Sequence, residues 1–598
     1  MQSTPYPLGP SLVKGGINFS IYAPHAKEVV INFPEKGNSF PLREKTGEVW
    51  HIFLPLEETR VTYHYLIDGQ VVIDPWAKEI ASSHAWGAPW QAASLISDVS
   101  FDWQEVVRPK HKKEELILYE MHVRGFTQDP SCSVQHPGTF LGLIEKIPYL
   151  VELGINAVEL MPVHEFDETE HPNHINFWGY SPVSFFALMN RYAVGDAAIE
   201  FKTLVRELHR AKIEVILDVV YNHSSKKEKS PFTALAKEVY YILEDGVYNN
   251  DTGCGNTLQC DHLVTSELIL HSLRYFAHEF QVDGFRFDLA TILKRDSSWL
   301  IKAISDDPLL KECKLIAEPW DPVHYNVGGF YPSLRWSEWN DKFRDAVRTF
   351  IKGDSWKKGE FATRLAGSED LYEAWGSPAS SLNFVTAHDG FSLHDLVSYN
   401  TKHNEMNGEN NADGTHQNYS WNCGAEGATE DPEILALRLR QMKNFFLALF
   451  LAKGIPMIHM GDEYGHTKQG NNNTWCQDNP LSWFQWGSES PLTPYLKTLI
   501  QLRKTEKILT EDLFLTKNDI EWHGPHPHHP LWNSDNHFLA FTLKKTLYAA
   551  FNASNHSQTV FLPEGDWHLV VSSSQGAISP QIIMEPFSSL LLKRADPT

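Results

Sequence analysis

Cysteine is scarce in this chain. Six are spread over 598 residues, at positions 132, 254, 260, 313, 423 and 476, and none forms a CxxC pair. The two closest, in "CGNTLQC" (254–260), have a spacing that fits no common zinc pattern. So sparse a set points away from a disulfide framework and towards free thiols in a cytoplasmic protein. Basic blocks are missing as well. The one cationic cluster is "RPKHKK" (108–113), in a chain of net charge −23. That balance excludes nucleic acid and anionic membranes as partners and suits a neutral substrate. No apolar run reaches the roughly 18 residues of a membrane span. The first residues, "MQSTPYPLGPSLVKGG", lack the basic-then-apolar order of a signal peptide. There is no low-complexity segment and no aspartate-rich calcium loop.

What is present is core-forming material: 42% hydrophobic residues and 12% aromatics, including nineteen tryptophans. Such a composition builds large cores and argues against disorder. Most of the tryptophans are expected to pack between layers, although a flat face with a polar edge also suits a sugar ring.

The texture changes twice along the chain. "INFSIYAPHAKEVVINF" (17–33), "VWHIFLP" and "TYHYLIDGQVVIDPW" are short alternating strands, as in a small β-sandwich over 1–105. From 106 to 504 the pattern is α/β. "LILYEMHV", "INAVELMPV", "IEVILDVV", "VDGFRFD", "KLIAEPW", "SLNFVTAHD" and "GIPMIHMGDE" are apolar on both faces, the mark of parallel strands covered on both sides. An eighth strand, sixth in order, is expected near 334–340 ("LRWSEWN"). The helix 266–280 is read as opening on Ser266, and the helix 433–454 as closing on Gly454. Repeated β–α units of this length predict a (β/α)8 TIM barrel. "HFLAFTLKK", "TLYAAFNAS", "WHLVVSS" and "PFSSLLLK" then predict a C-terminal β-sandwich over 505–598.

Charged residues stand where the barrel strands end. "IEVILDVVYNH" ends in Asp218, Asn222 and His223, and "VDGFRFDLA" in Arg286 and Asp288. "KLIAEPW" ends in Glu318, and "SLNFVTAHDG" in His388 and Asp389. In such barrels the C-terminal strand ends form one rim, where catalytic groups gather. Carboxylates crowded there need a counter-charge, and Arg286 is the evident one. Alternation puts Gly284, Arg286 and Asp288 on one face, with Gly284 leaving room for the charged pair. Asp283 falls on the other side as a turn or packing residue. Paired carboxylates at a concave rim fit glycoside hydrolysis, which needs an anionic nucleophile and a protonated acid. Arg286 would keep Asp288 charged and aimed. Negative neighbours would raise the proton affinity of Glu318.

"DVVYNH", "GFRFDLA", "IAEPW" and "FVTAHDG", in this order, resemble the four signature regions of the α-amylase superfamily. "YEMHVRGFT", "NFWGYSPVSFFA", "YNNDTGCGNTLQC", "RWSEWNDKFRD" and the long polar loop "NEMNGENNADGTHQNYSWNCGAEG" (404–427) resemble its isoamylase and glycogen-debranching type. The resemblance implies Asp288 as nucleophile, Glu318 as acid and base, and Asp389 as stabiliser of the transition state. It implies His223, Arg286 and His388 as sugar contacts, Tyr180 as the ring stacked beneath the sugar, and Asp218 as a support. It also implies a glucan-binding N-terminal sandwich and hydrolysis of α-1,6 branch points in a branched α-glucan, with no cofactor. Branching-type transglycosylases share the nucleophile and acid, so transfer stays open. A non-catalytic glucan-binding subunit could lose the triad, but all three residues are here. One departure is "DPVHYNVGGFYP" (321–332), where the family has a glycine-rich stretch; Pro322, Val323 and His324 are expected to line the acceptor side.

Overall fold

The computed structural model describes residues 2–56, 58, 60–97, 100–226, 228, 230–574 and 581–595. Eight parallel strands close into a barrel: β1 (Leu118–Met121), β2 (Ala157–Leu160), β3 (Glu214–Val219), β4 (Gly284–Phe287), β5 (Lys314–Ala317), β6 (Trp336–Trp339), β7 (Ser381–Phe384) and β8 (Ile455–His459). The eighth strand expected near 334–340 is β6. Every residue of β1–β8 except Lys314 is buried. Leu118, Ala157, Ile216, Ile316, Leu382 and Met457 fill the barrel. Phe285 and Phe287 turn outward to pack with the helices.

Register carries this alternation into the site. Asp218 on β3 lies opposite Arg286 on β4, and Arg286 opposite Ile316 on β5. Gly284 has a different role from the one its position suggested. A Cβ there would come within 2.6 Å of the Lys314 carbonyl and 2.7 Å of Ile216 Cδ1. It makes room for a neighbouring strand and the barrel filling, one layer below the charged pair.

Two helix ends also differ from expectation. The first helix begins at Leu263, capped by His262, which accepts from the Val264 amide. Ser266 lies inside it, with its hydroxyl donating to the Cys260 carbonyl at 2.5 Å. Buried Ser266 thus ties the helix to the segment before it. The second helix, Pro432–Leu451, ends before Gly454, which lies against Asn383 at the entry to β8.

Before the barrel, two antiparallel sheets stack around Phe19, Ile31, Tyr63 and Tyr65. After it, Ile520–His523, Phe538–Leu543, Leu547–Asn552, Ser588–Arg594 and Trp567–Ser572 form one sheet, and Gln558–Phe561 with Gln581–Met584 a second. The basic stretch 108–113 is built into the barrel base. Arg108 Nε donates to Asp283 at 3.0 Å, and His209 Nε2 and the Val215 amide approach the other oxygen at 2.7 and 2.9 Å. Asp283 is the packing residue expected, and it joins this segment to β3 and β4. Burial pushes its carboxyl up, but His209 and Arg108 outweigh that and bring it below its ordinary value. Asp283→Ala strands two buried donors, and breaking such a pair costs about 3–5 kcal/mol. A clear fall in the thermal unfolding temperature is expected; an unchanged one would show that the contact is idle.

Candidate active site

Arg286 is 0% exposed and holds three carboxyl groups. Its Nη1 donates to both oxygens of Asp218 and to Asp288 Oδ1, each at 3.0 Å. Its Nη2 lies 3.0 Å from Glu318 Oε2. The guanidinium also lies over the Trp339 ring, 4.2 Å from its centre. One planar cation thus fixes the ends of β3, β4 and β5 in a single cluster.

Asp288 follows β4, and its amide bonds to the Val219 carbonyl at 3.1 Å. Asn222 Nδ2 clamps both its backbone and its carboxylate at 2.8 Å. The next residue, Leu289, takes a left-handed backbone conformation (φ +40°) and points its amide at Glu318 Oε2, 2.8 Å away. A bulky residue adopts that conformation only under constraint, and such strain gathers at functional sites. Glu318 is pushed up to about 8, first by burial and then by Asp288 and Asp389, with Arg286 acting against them. The direction agrees with the reading of the sequence, but burial leads over negative crowding. Burial also raises Asp218 to about 6.

The remaining expected residues converge here. Tyr180 donates its hydroxyl to Asp218 and stacks on His388, with ring centres 5.0 Å apart and planes at 24°. His223 Nε2 lies 2.9 Å from the Tyr180 carbonyl, and its Nδ1 faces the Asn222 side-chain oxygen. Both ring nitrogens therefore meet acceptors. Burial lowers the His223 pKa, but Cys254, Asp288 and the Tyr180 carbonyl outweigh it and raise it to about 9. Asp389 sits exposed at the mouth; its charge reaches both Glu318 and His388.

Several participants were not picked out from the sequence. Glu120 on β1 accepts from His388 at 2.7 Å and from His459 at 2.8 Å. Burial favours its neutral form, but the two histidines bring its carboxyl below the ordinary range. Lys468 holds the His388 carbonyl at 2.8 Å. Glu159 on β2 is buried with neither oxygen hydrogen-bonded, and burial, opposed by Arg286, holds its carboxyl well above the usual range. Both glutamates carried a signal: each is the single charge in an otherwise apolar barrel strand.

Beside the site runs a cavity of about 470 Å³, lined by Trp178, Tyr180, His223, Cys254, Glu409 and Trp475 among others. One wall is the 404–427 loop. Asn404 exchanges two hydrogen bonds with Asn472, at 2.8 and 2.9 Å. Asn407 accepts from Asn471 and Gln477, both at 2.8 Å.

Three stretches match known families: residues 7–77 match carbohydrate-binding module 48 (isoamylase N-terminal domain), 106–252 the α-amylase catalytic domain, and 521–586 the isoamylase 1-3 C-terminal domain. The "Isoamylase 1, chloroplastic" of Oryza sativa subsp. japonica is 42% identical, across 94% of this chain and 80% of that one. The chain belongs to the isoamylase family. As an isoamylase-type chain it is a glycoside hydrolase with an α-amylase-type barrel. The "Glycogen debranching enzyme" of Pectobacterium carotovorum is 36% identical across 94% of each chain. Among solved structures, the pullulanase of Bacillus acidopullulyticus shares this isoamylase-type fold, with a TM-score of 0.79 at 24% identity over 99% of this chain and 75% of that one.

In this isoamylase-family site, Arg286→Lys offers one ammonium where a flat fork holds three carboxyl groups. A misplacement of about 1 Å can cost about 10²-fold in rate. Steady-state kinetics should show a kcat loss of that order at nearly constant KM; full activity would show that the arginine does not organise the site.

Proposed function

We propose that this chain hydrolyses α-1,6-glucosidic branch points of a glycogen- or amylopectin-type glucan by a retaining double displacement. The observation that carries this is the pair of carboxyl groups, Asp288 and Glu318, held on two nitrogens of Arg286. Glu318, with its pKa near 8, keeps a proton at neutral pH. The shared cation keeps the pair close, which favours the retaining separation of about 5–5.5 Å over the wider inverting one.

Glu318 donates its proton to the oxygen of the scissile bond as Asp288 attacks the anomeric carbon. The bond breaks, the released chain leaves with that proton, and Asp288 holds a glycosyl ester. Glu318, now a carboxylate, takes a proton from water; the water oxygen attacks the same carbon and frees Asp288. Asp389 binds sugar hydroxyls at the mouth and stabilises the transition state. Tyr180, backed by His388, offers its ring to the sugar at the cleavage site, and His223 and His388 contact it; Arg286, expected to touch the sugar as well, is fully buried and acts through the three carboxyl groups it holds. Asp218 supports Arg286 and Tyr180.

Residues 1–105 serve as a glucan-binding-like unit, 106–504 as the catalytic barrel and 505–598 as the C-terminal sandwich. A reducing, cytoplasmic-type compartment suits the six free cysteines. Among the described residues no helix is long and apolar enough to cross a membrane.

Glu318→Gln removes the transferable proton, and kcat should fall about 10²–10⁴-fold, the usual share of acid–base catalysis. In the parent, kcat/KM should decline as pH rises through about 8, as Glu318 loses its proton. A flat profile there would assign the acid elsewhere. Incubated with glycogen, the protein should release linear chains and reducing ends, the first product carrying the α configuration by NMR. A net gain of α-1,6 linkages would make it a transferase instead, and a β product would make it inverting.

A further inference from the structure

Glu120 is buried near the end of β1 and takes no part in the steps proposed for Asp288 and Glu318. Its oxygens are divided between two imidazoles. Oε1 takes His388 Nδ1 at 2.7 Å, from the segment after β7, and Oε2 takes His459 Nδ1 at 2.8 Å, from the end of β8. The two histidines keep its carboxyl ionised. A carboxylate only accepts, so each Nδ1 carries a proton. The rest of His388 is held as well. Lys468 Nζ donates to its carbonyl at 2.8 Å, Tyr180 is stacked on its ring, and the Trp178 ring meets it at 88° with centres 4.9 Å apart. One polar atom of the imidazole is left over: Nε2 has no hydrogen-bond partner among the described residues and is not sealed from solvent.

The charges around the two histidines separate them. Burial favours a neutral His388, but Glu120 and then Asp389 outweigh it and raise its proton affinity, with Arg286 opposing. Asp218 and His122 also feel its charge, and the Tyr180 hydroxyl faces its Nδ1 at 3.5 Å. His459 goes the other way, lowered first by burial and then by Lys468. Lys468 and Glu159 are the further charged groups that act on Glu120. His459 is thus a neutral donor that pins the carboxylate, and His388 is the ring whose charge the carboxylate balances.

We propose that Glu120 is a positioning residue for the hydrolysis: by claiming Nδ1 it fixes the His388 ring and reserves Nε2–H for a sugar hydroxyl at the cleavage site. This role presupposes that an α-glucan is cleaved between Asp288 and Glu318. His459, on the second oxygen, keeps the carboxylate from turning away from His388. A charged donor makes a stronger hydrogen bond than a neutral one. The carboxylate behind it also offsets the charge, so the oxocarbenium-like sugar of the transition state does not meet an unbalanced cation. Glu120 does this without touching the substrate.

Glu120→Gln keeps the shape of the side chain and removes its charge. At neutral pH it should lower kcat/KM on glycogen about 10–10²-fold, the worth of one hydrogen bond from a charged group. Without Glu120 the His388 ring gives up its proton at lower pH than in the parent. The deficit should therefore be smallest at about pH 5, below the ordinary imidazole value, and widen as pH rises. His388→Gln should show a loss of similar size, and the double variant should lose no more than His388→Gln alone. NMR of histidine-labelled protein, with His388 assigned by its absence in His388→Gln, should show that ring titrating at lower pH in Glu120→Gln than in the parent. A deficit constant across pH, a double variant that loses the product of the two single losses, or an unshifted His388 titration would overturn the role and leave Glu120 as packing. If the parent itself releases no chains from glycogen, the hydrolytic reading fails, and the His388 titration alone decides whether Glu120 governs that ring.

Discussion

A guanidinium with no access to water is the constraint on which this molecule is organised. Taking a charged group out of water costs several kcal/mol, and only opposite charges at hydrogen-bond distance recover it. Arg286 therefore needs the charges of Asp218 and Asp288 where they are, with Glu318 as a further acceptor, and the two aspartates in turn need Arg286. Because the carboxyl groups come from three strands, this mutual dependence fixes strand register and catalytic geometry together. The barrel supplies a dry, rigid floor, and the cluster sets what stands on it.

A second centre of charge repeats the logic on the other side of the rim. Glu120 is compensated by His388 and His459, and Lys468 secures the His388 backbone. Tyr180 joins the two centres, giving its hydroxyl to Asp218 and its face to His388. The ring proposed to carry the sugar is thus set by both clusters at once. Glu318 differs from its neighbours in how its charge is settled. Buried beside other acids, it keeps its proton while its other lone pairs accept from Arg286 and the Leu289 amide, the state that acid catalysis at neutral pH would use.

Much of this was legible in the sequence because parallel barrel strands are apolar on both faces. Any charge at their ends stands out, and Asp218, Arg286, Asp288, Glu318 and His388 were found that way. Even the weakest strand signal, at 334–340, fell on β6. What escaped depended on neighbours remote in sequence. Glu120 and Glu159 stand one residue before the ends of their strands, as Asp218 and Arg286 do, but their partners, His388 and His459 for one and Arg286 for the other, come from remote strands. Gly284 was read against the residues of its own strand, whereas its space is taken by β5 and by Ile216. Ser266 and Gly454 have the composition of helix caps, but a buried carbonyl claims one and the entry to β8 the other. For Glu318 the direction of the shift was readable from charge alone; its larger cause, burial, appears only when the fold is closed.

The 404–427 loop and the turn at 321–325 differ in how freely they can change. The 404–427 loop is held by paired asparagines, so replacing Asn404 alone leaves the Asn472 side-chain oxygen and backbone amide without their partner. That wall can be redesigned only by coordinated substitutions. The turn at 321–325 is anchored differently, through the Asp321 carboxylate, which takes the Val323 and His324 amides at 2.7 Å. Val323 and Tyr325 project from it, 59% and 53% exposed. The Val323 side chain can vary without disturbing the backbone that carries it, whereas the Tyr325 hydroxyl donates to Asp341 at 2.6 Å and is tied to the next helix. The turn at 321–325 therefore accepts a single change at Val323, while the 404–427 loop accepts change only when both members of a pair are altered together.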